Sequence, residues 1–266
     1  MRTLLVVAGV LVGLAGIQLF LFSERTDRFF AWTIEPPLTA AFLGASYWSS
    51  VAFEFAAARE RLWVNARIAI PTVFVFTALT LGVTIIHLDR FHLGAEFEAA
   101  TRAVTWAWIA IYAVVPVVMA VLWWVQQRQT GSDPTPVVEL PDGLRWLVGI
   151  QGLALAVGGV ALLVAPTGSG AALWPWDVTA LTGRAIGAWL MSLAVAAFHA
   201  VIEDGARRLR PAAWAYIVFF LLQLWALARY PGDFRWDSTP GVVYILFLAS
   251  TVAVGISALR LSRRPE

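Results

Sequence analysis

Cysteine and lysine are both absent from this chain of 266 residues. The first absence excludes disulfides, cysteine-ligated zinc and iron–sulfur clusters. The second leaves arginine as the only strongly basic side chain, nineteen in all against seventeen acids. Charge is scarce: 14% of residues are charged and 60% are hydrophobic, where soluble domains run near 25% and 45–50%. A water-soluble core could not hide that apolar excess, whereas lipid accepts it. The arginines are scattered between apolar runs rather than gathered in a stripe, which argues against a nucleic-acid partner. No nucleophile elbow, P-loop, HExxH or GxGxxG stands in a meaningful context. No catalytic residue, cofactor or metal site is therefore assigned, and an enzyme is the weaker expectation.

What the chain has in quantity is long apolar runs. A membrane-crossing helix needs about 20 mostly apolar residues, and eight stretches qualify: 4–22, 38–57, 66–87, 104–126, 143–165, 182–202, 212–230 and 241–260. The first is longer than a signal-peptide core of about 7–15 residues and lacks a small-residue cleavage site, so it reads as an uncleaved helix. Pro36-Pro37, Pro211 and Pro240-Gly241 are expected to open the second, seventh and eighth helices, and Gly131–Pro136 to precede the fifth. The runs are continuous rather than alternating, which favours helices over a barrel. Many of the 14 Trp lie near the ends of these runs, as interface belts require.

With the N-terminus in the cytoplasm, twelve arginines fall inside and seven outside. The positive-inside rule then places both termini in the cytoplasm, in a plasma (inner) membrane. Membrane lipids are the first expected partners.

Shifted by 143 residues, the chain partly matches itself. Arg2/Arg145, Gly9/Gly152, Gly16/Gly159, Thr39/Thr182, Gly44/Gly187, Ser49/Ser192, Phe55/Phe198 and Glu60/Glu203 are among thirteen identities over residues 2–60, without a gap. Beyond Glu60 the register fades. The expected fold is an all-α bundle of two parallel four-helix repeats, 1–130 and 143–266, joined by a polar linker at 131–142. Gly9, Gly13 and Gly16 share a face with the equivalents Gly152, Ala156 and Gly159. Such faces let backbones approach. They could join the first helix to the fifth, pack each half internally, or hold a protein partner or second copy.

Ionisable side chains at membrane depth are candidates for function. Glu54, His199 and Glu203 sit in the inner third of the second and sixth helices, with His199 and Glu203 four apart and able to pair; the plainer alternative is that Glu203-Asp204 meets Arg207 and Arg208 at the interface, with His199 hydrogen-bonded in the packed bundle. Arg184 enters the outer end of the sixth helix, where pairing with Asp177 or Glu35 is expected. Weaker outer-face candidates are His87, Asp89 and His92, together with Glu35, Trp32 and Trp176 in the segments before the second and sixth helices. His87 and His92 are five apart, off-register for a zinc helix. Three functional classes follow: a small-solute or lipid-handling transporter or ligand-binding protein with its site between the halves; a non-catalytic accessory or structural subunit of a membrane complex; and an intramembrane enzyme or redox-cofactor holder.

Overall fold

Turn and capping residues set the helix ends in the computed structural model, which describes residues 2–128, 133–136 and 138–263. The expectations attached to Gly131, Ser132, Val137 and Arg264 lie outside those residues. Pro37 and Pro240 occupy the first turns of their helices, where a missing N–H has no helical partner to lose. Thr179 Oγ1 and Ser238 Oγ accept from the N–H groups of Thr182 and Gly241, capping two further starts.

The long helices are α1 (Arg2–Gly16), continued by a π-turn (Ile17–Leu21), α2 (Pro37–Arg59), α3 (Ala69–Ile86), α4 (Ala99–Gln127), α5 (Asp142–Val164), α6 (Ala180–Glu203), α7 (Ala206–Arg229) and α8 (Thr239–Leu261). The expected spans fall on these helices with ends displaced by six residues or fewer. The largest displacement concerns Pro211, which lies inside α7 instead of opening it. The helix starts earlier because Asp204 takes the left-handed conformation (φ 46°) that reverses the chain. Ala206 N–H then bonds the Val138 carbonyl, 2.9 Å away.

Helices α3 to α8 are each long and apolar enough to cross a membrane. On α5 the exposed residues Trp146, Ile150, Leu153, Val157, Val160 and Val164 form one outward apolar stripe. A stripe of that length on a surface calls for lipid, and the chain is an integral membrane protein built as a helical bundle. Helix α2 is long but more polar. Every residue from Leu38 to Tyr47 is buried, so protein rather than lipid surrounds its first half.

Helix α2 packs on α1 and α7, while α6 packs on α5 and α3; α3 also pairs with α4, and α7 with α8. Glycines set the closest approaches. A Cβ on Gly9 would lie 3.3 Å from the Phe55 ring, and one on Gly152 3.1 Å from the Phe198 ring. At Gly16 it would meet Trp48, and at Gly159 Met191. At Gly44 it would come within 2.5 Å of the Phe20 backbone nitrogen, and at Gly187 within 2.9 Å of the Leu163 side chain. Each of these contacts recurs 143 residues on. The glycine faces thus fit α1 to α2 and α5 to α6, the internal alternative, rather than α1 to α5. Trp48 also donates to the Gly13 carbonyl (3.1 Å), and α1 loosens into its π-turn just beyond, as helices do where a side chain inserts into the ladder.

Two hydrophobic clusters divide the bundle by depth. One joins Leu5, Ala57, Val148, Ala200, Leu209 and Ala258, so the start of α1 and the end of α8 share one end of the bundle, the termini end. The other runs to the far end through Phe30, Trp32, Trp176 and Phe234. Gly44→Val should cost about 1–3 kcal/mol by overpacking against Phe20. Gly82→Ala, with nothing within 4 Å of the added carbon, should be neutral or stabilise by up to ~1 kcal/mol. Thermal unfolding of the purified variants in detergent checks both.

Candidate functional site

At mid-depth and towards the termini end, α2, α3, α6 and α7 leave a cavity of about 130 Å³, to which the other four long helices also contribute. Positions 143 apart face it together: Ser49 with Ser192, Thr72 with Ala215, Val73 with Tyr216, and Phe76 with Phe219. Most of the lining is apolar or aromatic. Its hydroxyls are largely committed as donors: Ser46 to the Phe42 carbonyl, Ser49 to Ser46, Thr72 to Ile68 and Ser192 to Thr72, at 2.7–2.9 Å. The lining contains one carboxylate, Glu54, and no arginine or histidine. Glu54 is 3% exposed and its Oε2 has no hydrogen-bond partner. Beside the cavity, Tyr47 and Tyr112 share a hydrogen bond of 2.5 Å between buried hydroxyls.

The expected grouping of Glu54 with His199 and Glu203 therefore divides. Glu54 faces the cavity, whereas the other two join an ionic cluster at the termini end. Glu203 pairs with Arg208 (2.5 Å) and with Arg67, which also reaches Asp133. His199 Nε2 stands 3.3 Å from Glu203 Oε1 without the geometry of a hydrogen bond. Across the bundle, Arg210 pairs with Glu60 at 3.3 Å, and Asn65 donates to Glu60 at 3.4 Å. The two halves of this cluster correspond: Arg67–Glu203 and Arg210–Glu60 are the same residue pair with the partners exchanged, and Asn65 takes the place of Arg208. The pairing of Glu203 with Arg208 was legible in the sequence, whereas Arg67 and Arg210 were missed. The signal was available, since the shift of 143 continues seven residues past Glu60 to match Arg67 with Arg210.

At the far end, Arg184 does not pair with Asp177 or Glu35. Its Nη1 donates to His87 Nε2 (2.8 Å) and its Nε to the Leu163 carbonyl (3.1 Å), tying the ends of α3 and α5 to α6. Leu163 offers one of the carbonyls that a helix end leaves without an internal partner. Asp177 is taken by Arg235, and exposed Asp89 pairs with its neighbour Arg90. Glu35 lines a broad far-end groove with Glu24, Asp27 and Asp233. Trp32 and Trp176 are buried rather than rim-exposed. Trp32 packs on Phe30, Phe91 and Trp108, while Trp176 packs on Trp174 and Tyr244 and donates to Thr39 Oγ1 at 2.8 Å. His92 is buried too. Its Nδ1–H donates to the Phe30 carbonyl (2.9 Å), leaving Nε2 to accept from Thr33 Oγ1 at 3.1 Å. Among the described residues no group of acids and histidines could hold a metal ion.

Burial differs between the two exchanged ion pairs, and their strengths should differ accordingly. The Arg67–Glu203 side chains are 30% and 8% exposed, those of Arg210–Glu60 45% and 6%. Double-mutant cycles on thermal stability should give about 1.5–3 kcal/mol for the first pair and about 0.2–1 kcal/mol for the second. A second expectation concerns His92, which lies outside the membrane-spanning helices. Burial lowers its pKa from 6.5, against smaller upward effects of the Phe30 carbonyl and Asp27. The unfolded chain therefore takes up the proton first, so this contribution to stability is intact above pH 6.5 and is lost as pH falls below it. Melting temperatures from pH 7.5 to 5 should fall, and His92→Gln should flatten the slope. No known protein family, characterised protein or solved structure matches this chain.

Proposed function

We propose that the chain is a small-solute-handling membrane protein that binds its ligand in the central cavity, between two intertwined repeats of four spans each. One observation carries the reading: a cavity at membrane depth whose lining includes a buried carboxyl group, Glu54, with no hydrogen-bond partner at Oε2. Polar groups left unsatisfied in such surroundings are costly, and a bound ligand is a common compensation. The repeat is supported by the thirteen matched residues, by glycine contacts that recur at one shift, and by ion pairs whose partners are exchanged between halves. That exchange is what a twofold relation produces. In this reading α1 with its π-turn and α2 are the first two of eight spans, and α2 tolerates its polar residues because it is the inner helix of its half.

The same reading gives an orientation. The clustered arginines of the termini end face the cytoplasm from a plasma membrane, and the acidic far-end groove faces outward. Above the cavity stand the aromatic caps around Trp32 and Trp176, below it the two exchanged ion pairs. In this reading the ligand site lies between the two ends of the bundle.

The cysteine-free background makes topology directly testable. Ser262→Cys should react with an impermeant maleimide only after cells are permeabilised, and Gly232→Cys should react in intact cells; the reverse pattern removes the orientation. For the site, purified protein screened against small solutes should show ligands that raise its melting temperature, by about 2.7 kcal/mol of linkage at a hundredfold excess over Kd. Ala215→Phe, which fills the cavity, should abolish the shift. Ligands that stabilise this variant as well as the parent protein would locate the site elsewhere. Uptake into proteoliposomes then separates a transporter from a binding protein.

A further inference from the structure

The chemistry of the cavity narrows its ligand. An anion would meet the Glu54 carboxylate in a lining that offers no arginine or histidine and would remain unpaired at membrane depth. A sugar-like solute would need many free donors, yet Ser46, Ser49, Thr72 and Ser192 spend their hydroxyl protons on backbone carbonyls. What remains available is the Glu54 carboxyl group, hydroxyl lone pairs, aromatic rings, and two donors without a hydrogen-bond acceptor among the described residues, the Tyr216 hydroxyl and the Trp189 indole N–H. Trp189, Phe76 and Tyr216 are aromatic residues of the lining, with Phe76 and Trp189 packed on each other at 4.1 Å between ring centroids. A carboxylate beside aromatic faces suits one kind of guest, an ammonium group carried on an apolar body. The carboxylate accepts a charge-assisted hydrogen bond, and ring faces attract cations, more strongly when water is excluded.

Size narrows it further. A dry cavity of about 150 Å³ accommodates benzene, so the 130 Å³ here fits about one such ring, roughly six heavy atoms, and because the cavity is not fully enclosed a short substituent can project beyond it. Gly9 lies beside the Glu54 carboxyl group, and a Cβ there would stand 3.6 Å from Oε2, an ordinary contact. The matched position in the other half, Ala197, carries no charge, so the site has one polar pole and not two.

Building on the ligand-site reading above, we infer that the cavity takes compact lipophilic monoamines, with Glu54 as the counter-group for the ammonium. The guest's apolar body lies against Phe76, Trp189 and Phe219.

The test uses full-length protein in detergent and three probes of one shape: benzylamine, toluene and benzoate. Calorimetry or thermal shift should rank benzylamine above toluene by about tenfold or more in affinity, with benzoate not bound. Glu54→Gln should bring benzylamine to the level of toluene while leaving toluene binding unchanged, and Glu54→Asp should retain part of the preference. The double variant E54A/A197E moves the carboxylate to the matched position and should restore the selectivity. Equal binding of benzylamine and toluene to the parent protein would overturn the amine assignment and keep the cavity as an apolar site. Preferential binding of benzoate would overturn it as well. Binding of none of the three would overturn the amine assignment, and Ala215→Phe then decides the broader reading with whatever solute the screen supplies. Should Glu54→Gln fail to fold, the ranking in the parent protein and in Glu54→Asp still decides the matter.

Discussion

Inside hydrocarbon, lipid tails are as apolar as leucine, so helices gain little by hiding side chains from their surroundings. What holds this bundle together is shape, and the glycines where α1 meets α2 and α5 meets α6 determine that shape. At Gly44 and Gly187 even one extra carbon would collide with the neighbouring helix. Because each of those helix pairs is tightly closed, α2 and α6 are left to meet the remaining helices with their other faces. They meet crosswise, α2 on α7 and α6 on α3. The cavity is the space left where that crossed set cannot pack fully.

Crossed packing also explains where charge is tolerated. The termini-end ion pairs bridge from the tip of α6 to the segment before α3, and from the tip of α2 to α7, so each joins elements distant in the chain. Arg184 does comparable work at the far end, where a helix-end carbonyl and a histidine ring nitrogen share one guanidinium. Arginine suits both tasks, since its planar fork can satisfy several acceptors at once. In a chain without lysine, the charged groups at the bundle's two ends can therefore serve as fasteners as well as topology signals.

The long helices were legible because hydrophobic run length and proline placement act locally, and lipid imposes one simple requirement on the six that are long and apolar enough to cross it. Pro211 misled because the start of α7 depends on Asp204 reversing the chain and on Val138 receiving Ala206, neither of which leaves a local pattern. The sequence comparison ended at Glu60, where the Ala- and Leu-rich background stops offering identities, although Arg67 and Arg210 keep the same interval. His92 and Trp176 read as surface candidates because composition records residue type and not the loop that folds over them. The division of Glu54 from His199 was beyond sequence reasoning, since both lie at similar depth and only the rotation of α2 and α6 separates them.

Positions that agree across the interval of 143 include the glycines of the helix contacts, Phe55 with Phe198, and the exchanged ion pairs, all of which determine how helices fit. Several polar residues in and beside the cavity break the match: Glu54 corresponds to Ala197, Tyr47 to Leu190, and Tyr112 to Gly255. Packing contacts that recur need their residues in duplicate, because each serves an equivalent contact. A second carboxylate at position 197 would add a like charge to the same cavity lining, and like charges in low-dielectric surroundings repel strongly. With Glu54 as the one acid of the lining and alanine at 197, the cavity has a direction that the recurring contacts around it lack.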